Sequence, residues 1–256
     1  MKSVRYEIGS FYESEKSLET WFEEDCDKRG RLSAISWFSR INNVFYFESG
    51  RSSEMAIIDE IGDYETRHIC LVPEYTCDTV IKPFMKRKWD VYYYRLTDNL
   101  KPDINDIDEK IRLYNPGVIV TILYYGVDTA IETRKKLQRW RKEKRGILIE
   151  DYTQSLALFG NNHKEIDYEM ASLRKWFPIS GGGIATLKKK PHYFECGNDY
   201  VVKQAESQEL KYKYLLGAPI NKQVILDLHR EAERILDERY EPINMDLDSY
   251  NVLCTY

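Results

Sequence analysis

The chain has 256 residues, 43% of them hydrophobic, which is enough for one large core or one core with a small appendage. Its 38 basic and 42 acidic side chains leave a net charge of −4, a balance that argues against a nucleic-acid surface or a polybasic membrane anchor. The apolar runs fall far short of the roughly 20 residues that a membrane span needs. The start, MKSVRYEIGSFYE, has no apolar signal region. Cys26, Cys70, Cys77, Cys196 and Cys254 are scattered, with no C-x-x-C or His/Cys cluster, so neither a zinc site nor a disulfide framework is expected and the expected compartment is the cytoplasm. Twenty tyrosines are expected to sit half-buried on strands and helix faces, with some lining a polar pocket or an interface.

Residues 1–40 are polar and aromatic without a clean period; Trp21–Glu24 and Trp37-Phe38 suggest short helical or extended pieces packed on a later body. Val44–Phe47 reads as a short strand, ending in Glu48-Ser49-Gly50-Arg51-Ser52-Ser53. Met55, Ile57, Ile58 and Ile61 then recur at helical spacing until Gly62. A strand, a small-residue turn and a helix start make an anion site from free N–H groups and the helix dipole. On this stretch alone, Ser52 or Ser53 capping the helix explains the turn better.

His68–Val72 is an apolar strand stopped by Pro73, and Thr76–Lys86 a helix that Pro83 kinks or shortens. Asp90–Tyr94, Val118–Leu123 and Gly146–Ile149 are further strands, separated by helices over Asp103–Leu113 and Thr129–Lys144. Strands over Asp167–Leu173 and Gly183–Leu187 follow, with Lys175–Gly182 between them. From Asp199 the character changes to long charged helices, Val201–Leu215 and Ile220–Arg239; the end, Asn251–Tyr256, carries no structural signal.

Alternation of helices with strands that are apolar on both faces predicts a largely parallel sheet covered by helices. Ligands bind such sheets at the carboxyl ends of the strands. That rule gathers Ser49–Ser53, Glu74–Cys77, Tyr124–Gly126 and Asp151–Gln154 around one crevice.

The apolar run Gly146–Ile149 leads into the acid pair Glu150-Asp151. About two dozen residues later comes Lys175, followed by Gly181-Gly182-Gly183. An acid at a strand end and a lysine on a following turn are what pyridoxal-phosphate chemistry requires, the lysine for a Schiff base and the acid to keep the pyridine nitrogen protonated. Asp151 alone would equally bind a metal or cap a helix, although no ligand set accompanies it, and Lys175 alone would be a surface lysine. The run Trp176-Phe177-Pro178-Ile179 beside Lys175 is a setting that desolvates an amine and lowers its pKa. The glycine run allows close backbone approach to a ligand or another subunit.

The stretches SGRSSEM (49–55), VPEYTCDTVI (72–81), ILYYG (122–126), IEDYTQSL (149–156) and SLRKWFPISGGG (172–183) resemble, in order and separation, the DegT/DnrJ/EryC1/StrS sugar aminotransferases, a fold-type I pyridoxal-phosphate family. The resemblance spans roughly residues 40–250. It implies a three-layer αβα domain with a mostly parallel mixed sheet over 41–198, an N-terminal arm over 1–40, and a helical segment over 199–256 that leads toward a smaller C-terminal domain. It further implies pyridoxal 5′-phosphate as cofactor, Lys175 as the Schiff-base lysine, Asp151 at the pyridine nitrogen and Gln154 facing the ring near its 3-oxygen. Gly50, Arg51, Ser52 and Ser172 would hold the phosphate. The ring-stacking residue falls at Tyr75, with Cys77 the alternative.

The implied activity is transamination of a keto-sugar nucleotide with glutamate or glutamine as amino donor, in a cytoplasmic homodimer. Relatives continue for another hundred or so residues past the end of this sequence. The alternative expectation is therefore a cofactor-binding, catalytically incomplete protein, or a subunit that needs a partner chain for the C-terminal domain. A sugar dehydratase is disfavoured, since such relatives replace the lysine that is present here.

Overall fold

The computed structural model describes residues 34–161, 164–195 and 197–255. Most of the expected arm over 1–40, including Trp21–Glu24, lies outside the described residues. Seven strands form one sheet: β1 (Val44–Phe47), β2 (Ile69–Pro73), β3 (Asp90–Tyr94), β4 (Val118–Ile122), β5 (Ile147–Asp151), β6 (Tyr168–Ser172) and β7 (Gly183–Thr186). Their order is β1-β7-β6-β5-β4-β2-β3. The neighbours from β3 through β6 pair in parallel, whereas β7 runs antiparallel to both β6 and β1. Every residue of β4, β5 and β6 is buried, as a sheet covered on both faces demands.

The helices are α1 (Ala34–Phe38), α2 (Gly50–Gly62), α3 (Asp78–Lys86), α4 (Ile104–Tyr114), α5 (Ile131–Lys144), α6 (Asp199–Leu215), α7 (Lys222–Asp237) and α8 (Leu247–Thr255). One apolar cluster joins α2 and α3 to one face of the sheet through Ile57, Ile61, Phe84, Val120 and Ile149. A second joins α4, α5 and α8 to the other face through Ile107, Leu137, Leu148, Ile184 and Leu253. Because strand side chains alternate, consecutive β5 residues serve different clusters. Among the described residues no helix is long and apolar enough to cross a membrane.

Several elements depart from the expected boundaries. Pro73 does not stop β2 but is its last residue, facing Tyr94 across the parallel ladder. Pro83 lies inside α3, whose helix ends three residues later at Lys86. Neither Ser52 nor Ser53 caps α2; the cap is Ser49, whose hydroxyl accepts from Ser52 N at 3.1 Å, so the helix starts earlier, at Gly50. Glu150 and Asp151 belong to β5 itself, whereas the expected strand ended at Ile149. The C-terminal stretch, which carries no periodic signal, forms α8, with Val252 and Leu253 buried.

The glycine run makes a close approach within the chain. Gly182 N donates to Glu48 O at 2.6 Å. A Cβ on Gly183 would stand 2.1 Å from Ser49 O, so only glycine lets β7 lie against the turn between β1 and α2.

Candidate functional site

The carboxyl ends of β2, β4, β5 and β6 and the N-terminus of α2 enclose a cavity of about 470 Å³. Of the residues singled out from sequence, Gly50, Arg51, Tyr75, Asp151, Gln154, Ser172 and Lys175 line it, as does the alternative Cys77. Ser52 does not: its hydroxyl donates to Glu241 O at 2.9 Å, on the chain that follows α7. The expected Tyr124–Gly126 stretch stands behind the rim, where Tyr124 Oη donates to Tyr75 O at 2.6 Å and the Tyr75 and Tyr125 hydroxyls are 3.3 Å apart.

The acid pair splits by strand alternation. Glu150 faces α5, where Arg134 Nη1 donates to it at 2.8 Å and Tyr152 Oη at 2.7 Å. Arg134 is itself buried and also meets Asp128 and Glu165. Asp151 faces the cavity at 5% exposure, and its Oδ1 accepts from Thr153 N at 2.7 Å. Burial pushes the Asp151 carboxyl above its ordinary range; the Thr153 hydrogen bonds and the positive charge of Lys175 pull against that shift.

Thr153 drew no attention in the sequence, yet it ties the site together. Its hydroxyl accepts from Ser172 N at 3.0 Å, and its carbonyl accepts from Trp176 Nε1 at 2.7 Å. The ends of β5 and β6, which carry Asp151 and Lys175, are thereby held in register. Gly50 belongs to the same junction, since a Cβ there would stand 3.0 Å from Ser172 Cβ.

Two side chains stand in surroundings that the sequence did not indicate. Lys175 is exposed, because it sits in a short 3-10 turn, Leu173–Lys175, whose Leu173 takes the buried position. The aromatic run after it therefore does not desolvate the amine; Trp176 turns back onto Thr153. Arg51, expected at a phosphate, is buried and bonded to the end of α7: Nη1 donates to Leu236 O at 2.5 Å and Nη2 to Asp237 Oδ1 at 2.7 Å. A guanidinium at a helix C-terminus satisfies carbonyls left open there.

Helix α7 is thus part of the site, with Glu233 and Leu236 on the cavity wall. Glu233 accepts from Arg174 Nη1 at 2.6 Å. The sequence marked this segment only as a charged helix leading onward. Its return to the sheet edge depends on the pairs Arg51–Asp237 and Arg174–Glu233, across about 60 to 190 residues of chain, which no local pattern reveals.

Glu54 was also missed. It lies one turn along α2 from Gly50, on the same face, and is 1% exposed. Both its carboxylate oxygens are buried without a hydrogen-bond partner among the described residues, as are Gln154 Oε1 and Thr76 Oγ1, and all three residues line the cavity. Burial, reinforced by Asp151, pushes the Glu54 carboxyl well above the usual range. A charged residue amid Met55, Ala56, Ile57 and Ile58 was the available signal.

No family model and no curated protein matches the sequence. Solved structures do match in fold. The sugar aminotransferase CalS13 from Micromonospora echinospora aligns with a TM-score of 0.53 and 15% identity over 89% of this chain and 68% of that one. AtS13 from Actinomadura melliaura gives 0.51 and 15% identity over 80% of this chain, which spans 59% of AtS13. The structure of ntda from Bacillus subtilis with bound cofactor PMP gives 0.50 and 16% over 89% of this chain, which spans 50% of ntda. The α/β architecture, a mixed and mostly parallel seven-stranded sheet between helices, is that of fold-type I pyridoxal-phosphate transferases.

Proposed function

We propose that the chain binds pyridoxal 5′-phosphate in this cavity and acts as an aminotransferase of the DegT/DnrJ/EryC1/StrS kind, with a keto-sugar nucleotide as acceptor and glutamate or glutamine as amino donor. The observation that carries the reading is the meeting of Asp151, Gln154, Ser172 and Lys175 with the α2 N-terminus in one cavity, at the carboxyl ends of the strands. The residues fit the cofactor best at its ring. Asp151 lies buried opposite Lys175, and Gln154 and Thr76 turn polar atoms into the cavity that lack partners among the described residues.

When bound, the cofactor supplies an aldehyde for an amine and an electron sink for a substrate carbanion. Asp151 would hold the ring nitrogen, Gln154 would face the ring edge, and Tyr75 or Cys77 would cover a face. The N–H groups at the start of α2, with Ser172, would hold the phosphate. Lys175 would carry the reactive amine and move a proton at the substrate carbon. Its exposure leaves it reachable from solvent, and Thr153 fixes the strand ends from which Asp151 and Lys175 project.

The test is an absorbance spectrum of the purified protein with added pyridoxal phosphate. A Schiff-base band that Lys175→Ala abolishes supports the reading, and a wild type that never acquires the band refutes it. A second reading, cofactor binding without turnover, is favoured by the engagement of both Arg51 Nη atoms with Leu236 and Asp237 at the cavity wall. Conversion of the loaded protein to its amine form by glutamate would refute that second reading. We further propose the organisation drawn from the resemblance, an α/β body over 41–198 followed by the helical segment 199–256, and a homodimer, for which light scattering is the check.

A further inference from the structure

We infer that Glu54 is a ligand-contacting residue that, with Asp151, makes the inner end of the cavity a two-acid subsite for a protonated nitrogen. The inference rests on the pyridoxal-phosphate reading of the site and adds the residue that reads the ring nitrogen beside Asp151. A carboxyl stripped of water and left without a partner costs stability, and an apolar side chain would fill that place among Met55, Ile57 and Ile58 without cost. The Nη atoms of Arg51 and Arg174 are engaged elsewhere, although Arg51 Nε is without a partner among the described residues. Arg51 is bonded to Leu236 and Asp237, and Arg174 to Glu233.

The groups that face Glu54 are Arg51 from α2, Asp151 from β5 and Cys77 from the loop before α3. Lys175, Arg174 and Glu233 complete the charged lining of the cavity. Of the buried lining atoms without partners among the described residues, the two Glu54 oxygens and Gln154 Oε1 accept hydrogen bonds, Thr76 Oγ1 accepts or donates, and Arg51 Nε donates; acceptors predominate, so the counterpart of Glu54 brings hydrogen. Two neighbouring buried carboxyls do not both ionise unless a cation comes between them. A ring N–H⁺ meets that demand, and Glu54 then raises the proton affinity of the bound ring beyond what Asp151 alone provides.

The experiment uses pyridoxamine 5′-phosphate labelled with ¹⁵N in the ring, bound to the wild type and to Glu54→Gln, with the ring-nitrogen chemical shift followed against pH. The carbocyclic analogue, in which C–H replaces the ring nitrogen, is the control ligand. The bound ring nitrogen is expected to lose its proton at a lower pH in the variant, by about one unit or more. Affinity for pyridoxamine 5′-phosphate should fall about tenfold, the equivalent of one such unit, while affinity for the analogue is unchanged. Equal ring titration in both proteins, or an equal loss of affinity for both ligands, overturns the inference while leaving the cofactor reading intact. A wild type that binds neither ligand removes the cofactor reading and the inference with it. Should Glu54→Gln not fold, Glu54→Leu, which suits the apolar surroundings, serves in its place with the same expectations.

Discussion

Replacing Glu54 by Gln should make the protein more stable, by an amount that grows with pH. The unfolded chain ionises this carboxyl near pH 4.3. In the folded protein, burial and the charge of Asp151 keep the proton on to a much higher pH. Over that window the folded state binds more protons than the unfolded state, so the contribution of Glu54 to stability is fully present below the unfolded pKa. It is lost as pH rises toward the folded pKa, at about 1.4 kcal/mol per pH unit. Gln has nearly the same shape and does not titrate, so the variant escapes the loss.

Urea unfolding of both proteins at half-unit steps from pH 4.5 upward measures the difference. With a slope on the order of 2–3 kcal/mol per molar urea, the midpoints should separate by about 0.5 M for each pH unit. The separation should stop growing at the pH where folded Glu54 ionises. Asp151 and Glu48, also raised by burial, remain in both proteins, and their contributions largely cancel. A midpoint difference that stays constant across pH would refute the picture of a buried, unpartnered and protonated acid.

Further outcomes follow from the same geometry. Arg134→Met should destabilise the protein by about 3–5 kcal/mol, because it strands the fully buried Glu150 without its guanidinium; adding Glu150→Leu should recover much of the loss in the same unfolding assay. Gly183→Ala should prevent folding or lower the melting temperature sharply, since its Cβ falls within 2.1 Å of Ser49 O, and circular dichroism reports either result. Ser49→Ala should cost about 1 kcal/mol through loss of the α2 cap, whereas Ser53→Ala should not uncap the helix. Thr153→Val should weaken the Schiff-base absorbance of the loaded protein more than it lowers stability, because it unties Ser172 from the strand that carries Asp151.

The sheet was legible because its strands are buried on both faces. Val118–Val120 and Ile147–Ile149 are continuous apolar runs, and such runs alternating with amphipathic helices leave a covered parallel sheet as the economical arrangement. The place of the site followed from the same fact, since the residues after β2, β5 and β6 must meet at one edge. Local chemistry was harder to read. Capping by Ser49 rather than Ser52 depended on where α2 begins, and the exposure of Lys175 depended on a 3-10 turn that gives Leu173 the inner position.

Order and periodicity along the chain therefore determined the sheet, its covering helices and the edge where Gly50, Asp151, Gln154 and Lys175 gather. Those signals are local, each readable within a dozen residues. The tertiary structure alone decided what surrounds these side chains. It brought α7 back to engage Arg51 and Arg174, turned Ser52 away toward Glu241, made Thr153 the tie between strands, and left Glu54 buried without a partner among the described residues. Burial and charge pairing act through space, between residues as far as 191 positions apart in sequence, as in the Glu48–Arg239 pair, and no pattern along the chain encodes them until it has folded.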